Sequence, residues 1–167
     1  MQNHTIQQLE AEMLAHIGAC CLESPKGAFV DYPNARIPHE LAKHGIAPAR
    51  AEDSTWLLAT TAPTVQLRED SVLLLPLADP FVALESVRSA LQGLGERFSI
   101  LMPFVLWNLP QPRWFIFASC SVHPLASLRL QCAELLDGLD WYSDSMHQAA
   151  FVLPPKLARE LRGFVRN

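Results

Sequence analysis

Cys120 and His123 close the stretch Cys120-Ser121-Val122-His123, which follows an apolar run and leads into Pro124. A thiol beside an imidazole at a strand-to-helix junction has what a nucleophile needs: a base to take its proton and helix amides to stabilise the thiolate. Residues three apart on a strand face opposite ways, however, and no third residue that would orient the imidazole is identifiable. The pair is a catalytic candidate standing beside a plainer reading, a buried thiol and a helix-capping histidine. Trp107, Trp114, Phe115 and Phe117 crowd two neighbouring runs, and Trp141 and Tyr142 lie in the polar loop 140–144. These six aromatic residues are the candidate contacts for a partner or apolar ligand.

Other polar groups lack the spacing their chemistry requires. His39, Glu40 and His44 do not form the metal-binding HExxH pattern, and Asp140 and Asp144 do not fit a calcium loop. His4 and His16 read as solvated or interfacial residues of the first helix. The cysteines Cys20, Cys21, Cys120 and Cys132 include no CxxC pair and no zinc-finger spacing. Free thiols are expected, with no metal and no cofactor. Nucleotide-binding glycine motifs, the P-loop and the GxSxG nucleophile elbow are missing too.

The elements that must position these groups follow from periodicity. Ile6, Leu9, Met13, Ile17 and Cys20 form one apolar stripe on a helix over 5–22, ended by Ser24-Pro25-Lys26-Gly27. Residues 28–32 read as a strand and 39–44 as a short helix opened by Pro38. Residues 49–61 fit a helix or, from 54, a strand. Residues 64–68 alternate as a half-exposed strand does, and 72–77 form a continuous apolar strand. A helix over 80–95 follows Asp79-Pro80. Residues 98–109 and 114–122 then make a hairpin across Pro110-Gln111-Pro112-Arg113, with Pro103 placing the first arm at an edge or in a bulge. A helix over 124–138, a short strand at 151–153 and a terminal helix opened by Pro155 complete the chain.

The expected fold is a single compact α+β domain over 1–167, with a soft boundary near 77–80. Its sheet, mixed or antiparallel, contains the 98–122 hairpin and is packed by the N-terminal, 80–95, 124–138 and C-terminal helices. The N-terminal half also fits a winged helix, with 64–77 as the wing.

Of the 167 residues, 50% are hydrophobic and 18% charged, with a formal net charge of −4; mean hydropathy is +0.12. Such a chain is neither disordered nor globally basic, so a nucleic-acid partner is not expected. Its longest apolar run is far short of the roughly 20 residues of a membrane span. Its N-terminus lacks the basic and apolar regions of a signal peptide, and a cytoplasmic location is expected. With apolar surface to spare and no convergent catalytic set, the sequence reads as a non-catalytic accessory protein of adaptor or chaperone type. It would act through the aromatic hairpin face on a protein partner, a second copy being one candidate. The alternatives are a winged-helix, nucleic-acid-associated regulator using 28–77 and a thiol-dependent enzyme using Cys120 and His123.

Overall fold

A computed structural model describes residues 2–167. Among the described residues the chain forms five α-helices and a five-stranded sheet. In chain order they are α1 (Gln2–Ala19), β1 (Ala28–Asp31), α2 (Ile37–Ala42), β2 (Trp56–Ala59), β3 (Val72–Leu77), α3 (Leu84–Leu94), β4 (Ile100–Leu106), β5 (Arg113–Ser119), α4 (Asp144–Ala150) and α5 (Pro155–Glu160). The strand order is β1-β2-β3-β5-β4. β1, β2 and β3 are parallel, and β5 runs antiparallel to both β3 and β4. The sheet is mixed, as the composition of its runs suggests, with the hairpin folded so that its second arm lies inside.

Successive residues of a strand point to opposite faces, and that alternation builds two cores. Trp56, Leu58, Leu74, Phe104 and Phe117 meet α1, α2 and α4 on one face. Leu57, Leu73, Val105 and Ile116 meet α3 and α5 on the other. A sheet covered on both sides explains why Val72 to Leu75 form an unbroken apolar run. β4 is an edge strand, so Pro103 costs no ladder bond on a central strand. Its outer side is partly closed by backbone bonds between Leu101 and Arg166.

Several expectations are corrected. The 124–138 helix is replaced by turns and a 3-10 turn at Ala133–Leu135. Leu128 and Cys132 reach the core, whereas Leu125 and Leu135 stay 39% and 83% exposed, so the stripe is not buried along one helical face. Instead, Arg129 ties the segment to the end of α1 through the carbonyls of Ala19 and Cys20. No strand forms over 64–68 or 151–153 among the described residues. Residues 49–61 split into a 3-10 turn at Ala51–Asp53 and the strand β2. The winged helix is excluded, because 64–68 forms no strand to pair with 72–77 as a wing, and the strand that does lie beside β3, β2, runs parallel to it.

Gly18 is a packing requirement of this layout. A Cβ there would overlap the indole of Trp56, which is fully buried beneath α1. Gly18→Ala should therefore lose about 1–3 kcal/mol from overpacking, against a gain of up to about 1 kcal/mol in helix propensity. A lower urea midpoint at an unchanged slope is the expected result. A midpoint at or above that of the parent would contradict this packing.

Candidate functional site

In open α/β sheets, ligands bind beyond the carboxyl ends of the parallel strands. Here that end is formed by Asp31 after β1, Thr60 after β2, the 78–83 turn after β3, the end of β4 and the start of β5 at Arg113. Asp31 and Asp79 are both exposed. Asp79 accepts a bond from the Phe81 amide at 2.8 Å, which fixes the turn and leaves its second carboxylate oxygen outward. Phe81 is 59% exposed and Trp107 43%. Both stand edge-on to the buried Trp114, with ring centroids 6.0 and 5.7 Å away. This rim offers free carboxylates and exposed aromatic rings.

Behind the rim, the buried carboxylate of Glu10 on α1 is paired with Arg113. It also accepts bonds from Tyr32 (3.2 Å) and Asn34 (3.0 Å). Burial, reinforced by Glu10, pushes the Tyr32 phenol up to about 12. The turn after β1, Tyr32-Pro33-Asn34, contains no glycine. It therefore lacks the close backbone approach that a dinucleotide pyrophosphate needs.

A second polar array runs between α1 and α2. Glu40 is held by Gln8 (2.8 Å), Lys43 (2.9 Å) and His16 (3.0 Å). Burial opposes its ionisation, but those bonds outweigh it and keep the carboxyl below the usual range. His16 is driven down to about 4, chiefly by burial. It therefore stays neutral at ordinary pH, with its Nδ1 2.7 Å from His44 Nε2. Beyond His44 lie Cys20 and Cys132, whose sulphurs and an imidazole nitrogen lie within 4.8 Å of one another.

The residues singled out from sequence do not converge. Cys120 is exposed and its thiol points to the Arg97 carbonyl. His123 Nδ1 accepts from the amides of Leu125 and Ala126, which is the capping role. Among the described residues no side-chain bond joins the two. Trp114, Phe115, Phe117 and Tyr142 are buried within the chain, and Trp141 is half-buried. Of the expected docking aromatics, Trp107 alone is exposed. His39 is exposed, and His4 pairs with Arg36. Asp31 reads from the sequence only as part of the 28–32 strand, with no role at a site. Glu10, Arg113 and the Cys20–His44–Cys132 grouping carry no local motif.

No family model matches the chain. It is 35% identical over 102 residues to the polyamine aminopropyltransferase of Helicobacter acinonychis, and 31% identical over 102 residues to that of Helicobacter pylori strain G27. Each match covers 60% of this chain and 39% of the relative's length. Spermidine synthase from Thermotoga maritima superposes over 92% of this chain and 74% of its own, with a TM-score of 0.73 at 18% identity. A spermidine synthase bound to the transition-state analogue AdoDATO gives the same score over 75% of its chain. The fold is thus the spermidine synthase fold. Because the relatives in sequence are enzymes, the expectation of a non-catalytic accessory protein is overturned. The Cys120–His123 thiol enzyme gains no support from them. Among the described residues no helix is long and apolar enough to cross a membrane.

Proposed function

We propose that this protein acts on polyamines, in aminopropyl transfer or a reaction derived from it, and receives the cationic amine at the carboxyl end of its sheet. The observation that carries this is the 35% identity over 102 residues to a polyamine aminopropyltransferase. The chemistry of the rim supports it. A polyamine is a chain of ammonium groups joined by methylenes. It is matched by carboxylates for the charges and by aromatic faces for the cations and the chain between them. Asp31 and Asp79 follow strands that are two apart, on the order of 10 Å at sheet level, so they engage different nitrogens of one extended ligand. Phe81 is two residues from Asp79, and Trp107 packs on the same Trp114 ring as Phe81.

Transfer requires an amine with a free lone pair. The amine loses a proton, its nitrogen bonds to the aminopropyl carbon, and the donor's bond to that carbon breaks. A carboxylate within hydrogen-bond reach of the amine attracts the ammonium form and accepts that proton. A polyamine ligand needs no glycine-rich phosphate cradle, in keeping with the glycine-free turn after β1.

Calorimetric titration with spermidine at low salt is expected to give saturable binding that weakens as salt rises. Asp31→Asn and Asp79→Asn should each weaken it roughly two- to fivefold, the range of an exposed charge pair. An aminopropyl-transfer assay with a diamine acceptor tests the reaction itself. Absence of both saturable binding and transfer would remove this reading.

A further inference from the structure

Cys20, His44 and Cys132 come from the end of α1, the loop after α2 and the turn before Ala133–Leu135, and their ligand atoms lie within 4.8 Å of one another. We propose that these three residues bind one divalent zinc-type cation, which staples the irregular 122–143 segment onto α1 and α2. Two thiolates and an imidazole are the ligand set that selects zinc among common divalent ions. His44 Nε2 is engaged by His16 Nδ1 at 2.7 Å, and His16 is in turn bonded to Glu40 at 3.0 Å. That chain fixes the His44 ring and leaves its Nδ1 toward the sulphurs. It is the imidazole-to-carboxylate support that metal-ligating histidines characteristically carry.

Cys20 and Cys132 are buried and His44 half-buried, giving the ion a route in past the imidazole. Two thiolates balance a divalent ion, and the Arg129 guanidinium, 3.5 Å from the Cys132 sulphur, donates to that ligand and favours its thiolate form. Cys21, although adjacent to Cys20, belongs to another arrangement: its thiol faces the carbonyls of Ile17 and Pro124.

The segment needs such a link. It runs largely without regular secondary structure, and Leu130 and Leu135 face solvent instead of packing. Its hydrogen bonds to α1 are those of Arg129 and of the Trp141 and Tyr142 amides on Glu12, beside the core packing of Leu128 and Tyr142.

Cobalt serves as the spectroscopic probe. Fully reduced, chelator-stripped protein titrated with Co²⁺ should develop thiolate-to-cobalt charge-transfer bands and the visible bands of a tetrahedral site, saturating at one ion per chain. Added Zn²⁺ should displace them. Cys132→Ser should reduce the charge-transfer intensity, whereas Cys120→Ser, at an exposed thiol away from the site, should leave it unchanged. His16→Gln should weaken cobalt affinity by 10–100-fold, as loss of such support does elsewhere. Limited proteolysis within 122–143 should slow when Zn²⁺ is added to wild-type protein but not to Cys132→Ser, a readout independent of activity and of polyamine binding. Absence of charge-transfer bands in the reduced protein would overturn the assignment. So would bands unaffected by Cys132→Ser, or a Cys20–Cys132 disulfide as the resting state of freshly purified protein.

Discussion

Replacing Glu12 with alanine is expected to destabilise the protein by about 3–5 kcal/mol. Glu12 lies in the middle of α1, fully buried. One of its carboxylate oxygens accepts the backbone amides of Trp141 at 2.7 Å and Tyr142 at 2.8 Å. Leaving a buried donor without its partner costs about 1–3 kcal/mol. Alanine leaves the buried Tyr142 amide and the partly buried Trp141 amide unpaired and adds a cavity in a packed layer. For a domain of this size the loss lowers Tm by roughly 10 °C. Glu12→Gln keeps an amide oxygen in the same place and should recover most of the difference, because both amides still find an acceptor. Thermal unfolding of the two variants checks this. If alanine and glutamine prove equally mild, the anchor is not these two bonds. A small alanine effect would mean that loop 140–142 is held by Trp141 and Tyr142 packing alone.

Glu12 also marks where the sequence became unreadable. Its neighbours Leu9, Met13, Ile17 and Cys20 fall on the expected stripe and are buried. Glu10, Glu12 and His16 fall off that stripe, yet α1 is buried all round from Leu9 onward. Periodicity reports a helix and one apolar face. It does not report that the opposite face meets other elements through Arg113, the 141–142 amides and Glu40. Each of those partners is distant in sequence, and nothing local in α1 encodes it. β3 was legible because burial on both faces writes itself into an unbroken run of apolar residues. β5 was legible as a strand but not as the strand between β3 and β4, since that placement depends on which edges remain free after β1, β2 and β3 assemble. The error over 124–138 has a related cause. Leu125, Leu128, Cys132 and Leu135 have helical spacing, but a stripe makes a helix only where a surface is available to cover it. Here Leu128 and Cys132 find the core but Leu125 and Leu135 do not.

The functional misreading came from the same limitation. The aromatic residues of β5 were counted as surplus apolar area. In a sheet packed on both faces, Trp114, Phe115 and Phe117 are simply its two cores. Of the large aromatic side chains Phe81 and Trp107 remain exposed, at the carboxyl end of the sheet, where doubly wound sheets place their ligands. The acids there, spaced across separate strands, produce no sequence motif.

Acidification is the last strong test, through His147 on α4. The side chain is fully buried, with Nε2 2.7 Å from the Pro124 carbonyl and Nδ1 2.9 Å from the Tyr142 hydroxyl. The neutral ring with its proton on Nε2 satisfies both contacts: it donates to the carbonyl and accepts from the phenol. A second proton would turn Nδ1 into a donor, so that the Tyr142 hydroxyl must rotate its own proton away and accept instead, and it would place a charge in a site with no water-exposed side. Burial accordingly drives His147 down to about 4 from 6.5, the Pro124 bond only partly opposing it. Between those two values the unfolded chain binds a proton that the folded chain refuses. Stability is therefore complete above about pH 6.5 and declines as the pH falls, by up to about 3 kcal/mol on reaching pH 4. His16, lowered to about 4 as well, adds a contribution of the same sign over the same interval. Urea midpoints measured from pH 7.5 to 5 should hold to about pH 6.5 and then fall in the parent, and fall about half as steeply over that lower interval in His147→Gln, which cannot titrate. The variant starts from a lower midpoint because glutamine cannot make both bonds, so the slope and not the intercept is the diagnostic. Equal slopes in the two proteins would mean that His147 accepts its proton without opening the α4 contact to Pro124 and Tyr142.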